Sequence, residues 1–246
     1  NLSVAATIGF IAVLGVAVRR RLSDDRRSVF AFLTLSVMFA TLAPPLGLKF
    51  EAITLVWAAE GIVLVVLGYL YAYAPLRTFG TAVEALALGR FFAVHWPLHD
   101  GPFRLFLNTE FGIGAAVCAG VAGLAVAHHV WRERANLADA VTKTTSALLA
   151  GLLALFLLHT EIGSWFAEHA ARYHVAPWYL RLTTGAFVWG LGSVAFVVAG
   201  IRVRNGIVRF VGSAALAGAG ILLLITYAPR TLVGHTHFGN ARFIAA

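Results

Sequence analysis

Trp57-Ala58-Ala59-Glu60-Gly61 and Trp189-Gly190-Leu191-Gly192-Ser193 each open a long apolar run, and the second stretch follows the first at an offset of 132 residues without a gap. Working outward, the same offset pairs Gly68 with Gly200, Arg77 with Arg209, Gly80 with Gly212, Pro97 with Pro229, Asn108 with Asn240 and Phe111 with Phe243. Self-similarity at one fixed spacing, through apolar runs and turns alike, reads as the duplication of a single helical unit.

Composition places that unit in a bilayer. The chain is 60% hydrophobic and 12% charged, with mean hydropathy +0.83, far from the balance of a water-soluble domain. A spanning helix needs ~20 mostly apolar residues. About eight runs meet that need, near 1–18, 29–45, 52–73, 79–96, 108–130, 144–166, 183–201 and 207–228. The expected fold is therefore all-α: a polytopic transmembrane helix bundle built from tandem four-helix repeats.

Three segments follow from this reading. Residues 1–27 form a preceding span and a basic turn, 28–131 a first four-helix unit, and 132–246 a second unit cut off at the start of its fourth helix. Asn240 repeats the opening of the run at Asn108, so the chain is expected to be a piece of a longer array. Arg19-Arg20-Arg21 follows the first apolar run instead of preceding it, which speaks for a retained span over a signal peptide. The segment from Ala167 to Arg181, rich in His, Tyr and Trp, is expected to lie along the membrane surface.

The net charge of +8 acquires its meaning from placement. If the spans alternate, twelve cations, including every dense cluster, fall on one face and seven on the other. The positive-inside rule makes the first face cytoplasmic, as in a bacterial inner membrane. Cations scattered over short turns form no continuous stripe, so nucleic acid is not an expected partner. The bilayer is, and other envelope proteins or further repeats of the chain join it as candidates. Cys118, the one cysteine, lies within an apolar run and reads as a small core residue.

Charged side chains inside spans carry the most information about chemistry, because each needs a partner or water in hydrocarbon. At 1.5 Å per residue, Glu60 lies ~12 Å and Arg90 ~9 Å below the external face on adjacent antiparallel helices, so they can meet. His159 and Glu161 fall at similar depth on another span. Glu84 is deeper, without an evident partner, and is either neutral or turned toward an aqueous cavity. Glu60, Arg90, His159, Glu161 and Glu84 therefore form the candidate polar site; the competing reading is a buried ion pair that only fixes helix packing. The second unit holds Gly192, Leu216 and Leu222 where the first has Glu60, Glu84 and Arg90, so the charges belong to one copy. His95-x-x-x-His99 and His235-x-His237 have spacings known from metal sites, but Pro97 interrupts the first and no His-Glu-x-x-His occurs. Neither a metal nor a cofactor is expected, and no nucleophile motif is present.

The Trp57–Gly61 motif with Gly68, then Leu76-Arg77-x-x-Gly80, a Pro-containing loop and Leu107-Asn108-x-x-Phe111-Gly112, resembles the domain of unknown function 2339 family of large polytopic membrane proteins. The resemblance covers roughly 52–130 and 183–246, with Glu110 where an Arg is usual and the Glu lost from the second copy. It implies a many-span envelope protein and supplies no reaction. The leading functional expectation is a transport-related or scaffold component that binds partners. The alternative is an intramembrane enzyme acting on a lipid-linked or envelope glycan substrate, with Glu60 as acid or base, Arg90 holding an anionic group and His159 assisting.

Overall fold

A computed structural model describes residues 41, 48, 50–95, 104–169, 172 and 176–231. The spans expected at 1–18 and, apart from Thr41, at 29–45 lie outside these residues, as do the repeated helix start expected at 240–246 and positions 170, 171 and 173–175 of the surface segment at 167–181. Among the described residues the chain is helical: α1 (Phe50–Leu70), α2 (Ala74–Arg90, continued by a π-helical turn Phe91–His95), α3 (Thr109–Val130), α4 (Leu137–Glu168), α5 (Pro177–Arg202) and α6 (Gly206–Thr231). All of these but α2 are long and apolar enough to cross a membrane, which gives the chain the dimensions of an integral membrane protein. Helix α2 is shorter, at 17 residues, and carries Arg77, Glu84 and Arg90.

Two compact units divide the chain, the first comprising 1–98 and 113–150 and the second 99–112 and 151–246. Each contains one tight helical hairpin, α1–α2 in the first and α5–α6 in the second.

In the first unit α1 closes by main-chain bonds from Tyr71 N–H to Leu67 O (2.9 Å), Ala72 N–H to Tyr69 O (3.2 Å) and Tyr73 N–H to Gly68 O (2.8 Å). Ala72 takes the left-handed conformation, φ 53°. These are the bonds of a Schellman stop, which satisfies carbonyls that the helix end leaves bare. Pro75 then starts α2, where its missing N–H costs nothing. The helices touch through main chain: a methyl placed on Gly80 would lie 2.7 Å from Gly61 O and 2.9 Å from both Leu64 Cβ and Val65 N. Small residues let membrane helices approach this closely.

Hairpin α5–α6 of the second unit, described on its own, has the same anatomy. Val203 N–H bonds Ala199 O (2.9 Å), Arg204 N–H bonds Ile201 O (3.2 Å) and Asn205 N–H bonds Gly200 O (2.9 Å), while Arg204 is left-handed at φ 52°. A methyl on Gly212 would lie 2.9 Å from Phe196 Cβ, 2.9 Å from Val197 N and 3.0 Å from Ser193 O. Each of these residues stands 132 positions after its counterpart in the first hairpin.

Three helices begin earlier than hydropathy suggests, α2 among them, at Ala74 instead of 79. Helix α4 starts at Leu137, because Asn136 and Asp139 cap it reciprocally: Asp139 N–H donates to Asn136 Oδ1 and Asn136 N–H to Asp139 Oδ2, both at 2.9 Å. Helix α5 starts at Pro177, so Trp178, Tyr179 and Arg181 of the expected surface segment belong to its first turns.

Candidate functional site

In the first unit a buried polar network gathers where α1, α2, α3 and the start of α4 meet. Arg77 forks onto Asp139, Nη2 to Oδ2 at 2.9 Å and Nε to Oδ1 at 3.2 Å, and Nη1 donates to Gly68 O at 3.4 Å. The two side chains are only 7% and 8% exposed, so the pair is taken out of water almost entirely. The guanidinium also lies over the Tyr69 ring, 4.7 Å from its centroid, where the ring's negative face attracts it. Tyr69 Oη bonds His128 Nδ1 at 2.6 Å, and its ring stacks on Trp131 at 5.4 Å. Asp139 thus caps α4 and neutralises Arg77 with the same carboxylate.

Glu84 lies one face-repeat along α2 from Arg77. It is 1% exposed, and neither carboxyl oxygen has a hydrogen-bond partner. Glycines of two helices make its space. A methyl on Gly61 of α1 would come within 2.8 Å of Glu84 Oε2, and one on Gly120 of α3 would collide with Oε1.

Glu60 and Trp57 both bond Thr41, and Arg90 lies near the Trp57 ring. Thr41 Oγ1 donates to Glu60 Oε1 at 2.6 Å, the Trp57 indole N–H donates to Thr41 O at 2.9 Å, and the Arg90 guanidinium lies 5.9 Å from the Trp57 ring centroid. His95 continues α2, is 9% exposed and bonds Thr54 Oγ1 at 3.2 Å.

Of the five candidate residues, Glu60, Arg90 and Glu84 belong to the first unit, while His159 and Glu161 belong to the second. Within the second unit Glu161, 2% exposed, accepts from Phe106 N–H at 2.9 Å and from Asn108 Nδ2 at 2.8 Å. Asn108 Oδ1 in turn accepts from Phe111 N–H at 2.7 Å, capping α3 as its residue type favours. The imidazole of His159 packs on Gly185 of α5, where any Cβ would collide with the ring. His159 and Glu161, two apart on α4, point to different sides of it. Among the described residues no three His, Cys, Asp or Glu side chains are grouped as metal ligands.

Neither Arg77 nor Asp139 is among the residues that the sequence marks as the candidate polar site. The legible signal was Asn136-x-x-Asp139 ahead of an apolar run, a helix-start pattern that also delivers a carboxylate. The chain matches no protein-family model, no curated protein and no solved structure.

Proposed function

We propose that the protein is a non-enzymatic membrane scaffold, a polytopic bundle of tandem helical modules that holds other membrane polypeptides. One observation carries this reading: two of the three carboxylates buried among the described residues, Asp139 and Glu161, are engaged at helix starts. Groups so engaged fix architecture. The module reading is supported by the matched turns at Ala72 and Arg204 and the matched glycine seams at Gly80 and Gly212. Eight spans, basic turns on the cytoplasmic side of a bacterial inner membrane, and membership of the domain of unknown function 2339 family belong to the same proposal.

Transport is the second reading, and Glu84 favours it. A carboxyl with no bonded oxygen, between glycines of two helices, is costly to keep in a membrane interior and marks a candidate ion path.

The test combines cross-linking of the full chain in its native membrane with flux and turnover measurements on proteoliposomes. A polypeptide partner cross-linked in stoichiometric yield, with neither flux nor turnover, is the expected result. Solute or proton flux abolished by Glu84→Gln would replace the scaffold with a transporter, and conversion of a lipid-linked glycan abolished by Glu60→Gln would replace it with an enzyme.

A further inference from the structure

Of the two carboxylates buried in the first unit among the described residues, Asp139 is bonded and Glu84 is not. The Glu84 side chain leaves α2 between α1 and α3 and ends against their main chains. A methyl built on Gly61 would stand 2.8 Å from Oε2 and 3.0 Å from Cβ of Glu84, and one on Gly120 would collide with Oε1. Val117 and Leu124, on the same face of α3 as Gly120, are 0% and 2% exposed, so apolar packing closes the α3 side.

The charged and titratable groups on the helices packed here are engaged elsewhere. On α2, Arg77 is ~10 Å back along the axis and is held by Asp139, while Arg90 is ~9 Å further on and lies near the Trp57 ring. On α1 the neighbouring Glu60 accepts from Thr41. On α3, Cys118 donates to Ala150 O, and His128, ~12 Å along the axis from Gly120, bonds Tyr69. An ionised carboxylate that has neither donor nor counter-charge in such surroundings takes up a proton instead. A metal ion does not suit the place: Ca²⁺ and Mg²⁺ take about six or more oxygens, whereas one carboxyl here faces two glycines, and no three His, Cys, Asp or Glu side chains are grouped among the described residues. A proton needs a single oxygen.

We infer that Glu84 is a proton-binding site inside the first unit, and that release of its proton is coupled to the parting of α3 from the α1–α2 hairpin. The coupling comes from the lack of room. A carboxylate has to be hydrated, each water takes about 30 Å³, and the main chain at Gly120 fills the space beside Oε1 where that water would stand. Ionisation therefore opens the α3 side, and protonation closes it. Because the closed state holds a proton that the open state gives up, closure is complete at low pH and weakens as the pH rises. In the second hairpin Leu216 stands where Glu84 stands, so that hairpin lacks the group. The site goes beyond the scaffold reading and does not depend on ions crossing the membrane, so its failure would leave that reading standing.

The test uses the full chain in phosphatidylcholine nanodiscs, with spin labels at Leu86→Cys on α2 and Val126→Cys on α3 in a Cys118→Ala background; both labelled positions are exposed, at 53% and 60%. Infrared difference spectra between this chain and its Glu84→Gln form read the protonation, and pulsed dipolar spectroscopy reads the distance between α2 and α3. At neutral pH the expected spectrum has a carboxylic acid C=O band that Glu84→Gln removes and that is unaltered when sodium replaces choline as the buffer cation. As the pH rises the band should fade and the distance lengthen together, the closed-to-open ratio falling about tenfold per pH unit for one proton. Glu84→Gln and Glu84→Leu, neither of which can ionise, should stay closed throughout. A carboxylate band at neutral pH in place of the acid, or an acid band that appears only when sodium is withdrawn, would overturn the proton site, the second by assigning it to a metal cation. A band that fades at constant distance, or a lengthening that persists in both variants, would overturn the coupling.

Discussion

Replacing Asp139 by Asn tests the network that ties α4 to the first hairpin. Asparagine keeps the shape and still accepts from Asn136 N–H, so the perturbation isolates the charge. The guanidinium of Arg77, 7% exposed at its side chain, would then lie buried without a counter-ion. Breaking a buried pair on one side costs about 3–5 kcal/mol. Arg77 keeps Gly68 O at 3.4 Å and the Tyr69 ring at 4.7 Å, so the lower end, about 3 kcal/mol, is the expected loss. Removing both charges in Arg77→Met/Asp139→Asn should recover about 2 kcal/mol of it, since an uncharged pair needs no solvation. Arg209→Met, at the equivalent exposed position, should change stability by no more than about 0.5 kcal/mol. Equilibrium unfolding in mixed micelles, followed by circular dichroism, measures these proteins together with Arg77→Met alone, which closes the double-mutant cycle. A loss below about 1 kcal/mol for Asp139→Asn, or additive effects in the double variant, would refute the argument that this carboxylate is structurally coupled to Arg77.

The glycine seam makes an opposite pair of predictions. Gly80→Val must push a methyl into Gly61 O, a main-chain atom that cannot turn aside, and should cost about 1–3 kcal/mol or more, whereas Gly89→Ala, with open space around it, should stabilise by about 0.5–1 kcal/mol; thermal unfolding in detergent separates them. Asn108→Ala removes a cap and leaves Glu161 Oε1 without its donor, for a loss of about 2 kcal/mol, visible as faster hydrogen exchange at the Phe111 amide. Ala72→Gly relieves the left-handed strain at φ 53° and should raise stability by about 1 kcal/mol, while Ala72→Val should lower it, as read from melting temperatures.

Residue patterns revealed the parts that are local or repeated. Gly68 with Gly200 and Arg77 with Arg209 marked where each hairpin turns, because the turn bonds run from these glycines to residues five positions on. Long apolar runs located α1, α3, α5 and α6 within a few residues, apart from the start of α5. The early starts of α4 and α5 were obscured because hydropathy rises only after the first polar turn, where caps and Pro177 rule instead. Depth counting sets Glu60 and Arg90 at similar depth on adjacent helices, where Glu60 accepts from Thr41 and Arg90 lies near the Trp57 ring, yet it has no means of finding Asp139. That carboxylate meets Arg77 across 62 residues, and contacts so distant leave no periodic trace.

Where Gly80 and Gly212 press against carbonyls and amides, the walls of the crossing are peptide groups, which every sequence possesses. A joint of this kind is blind to the identity of its neighbours. The position beside the crossing is Glu84 in one hairpin and Leu216 in the other, and the same main-chain contact at Gly80 and Gly212 accompanies both, so a seam of this kind leaves the chemistry of the adjoining side chains free to vary.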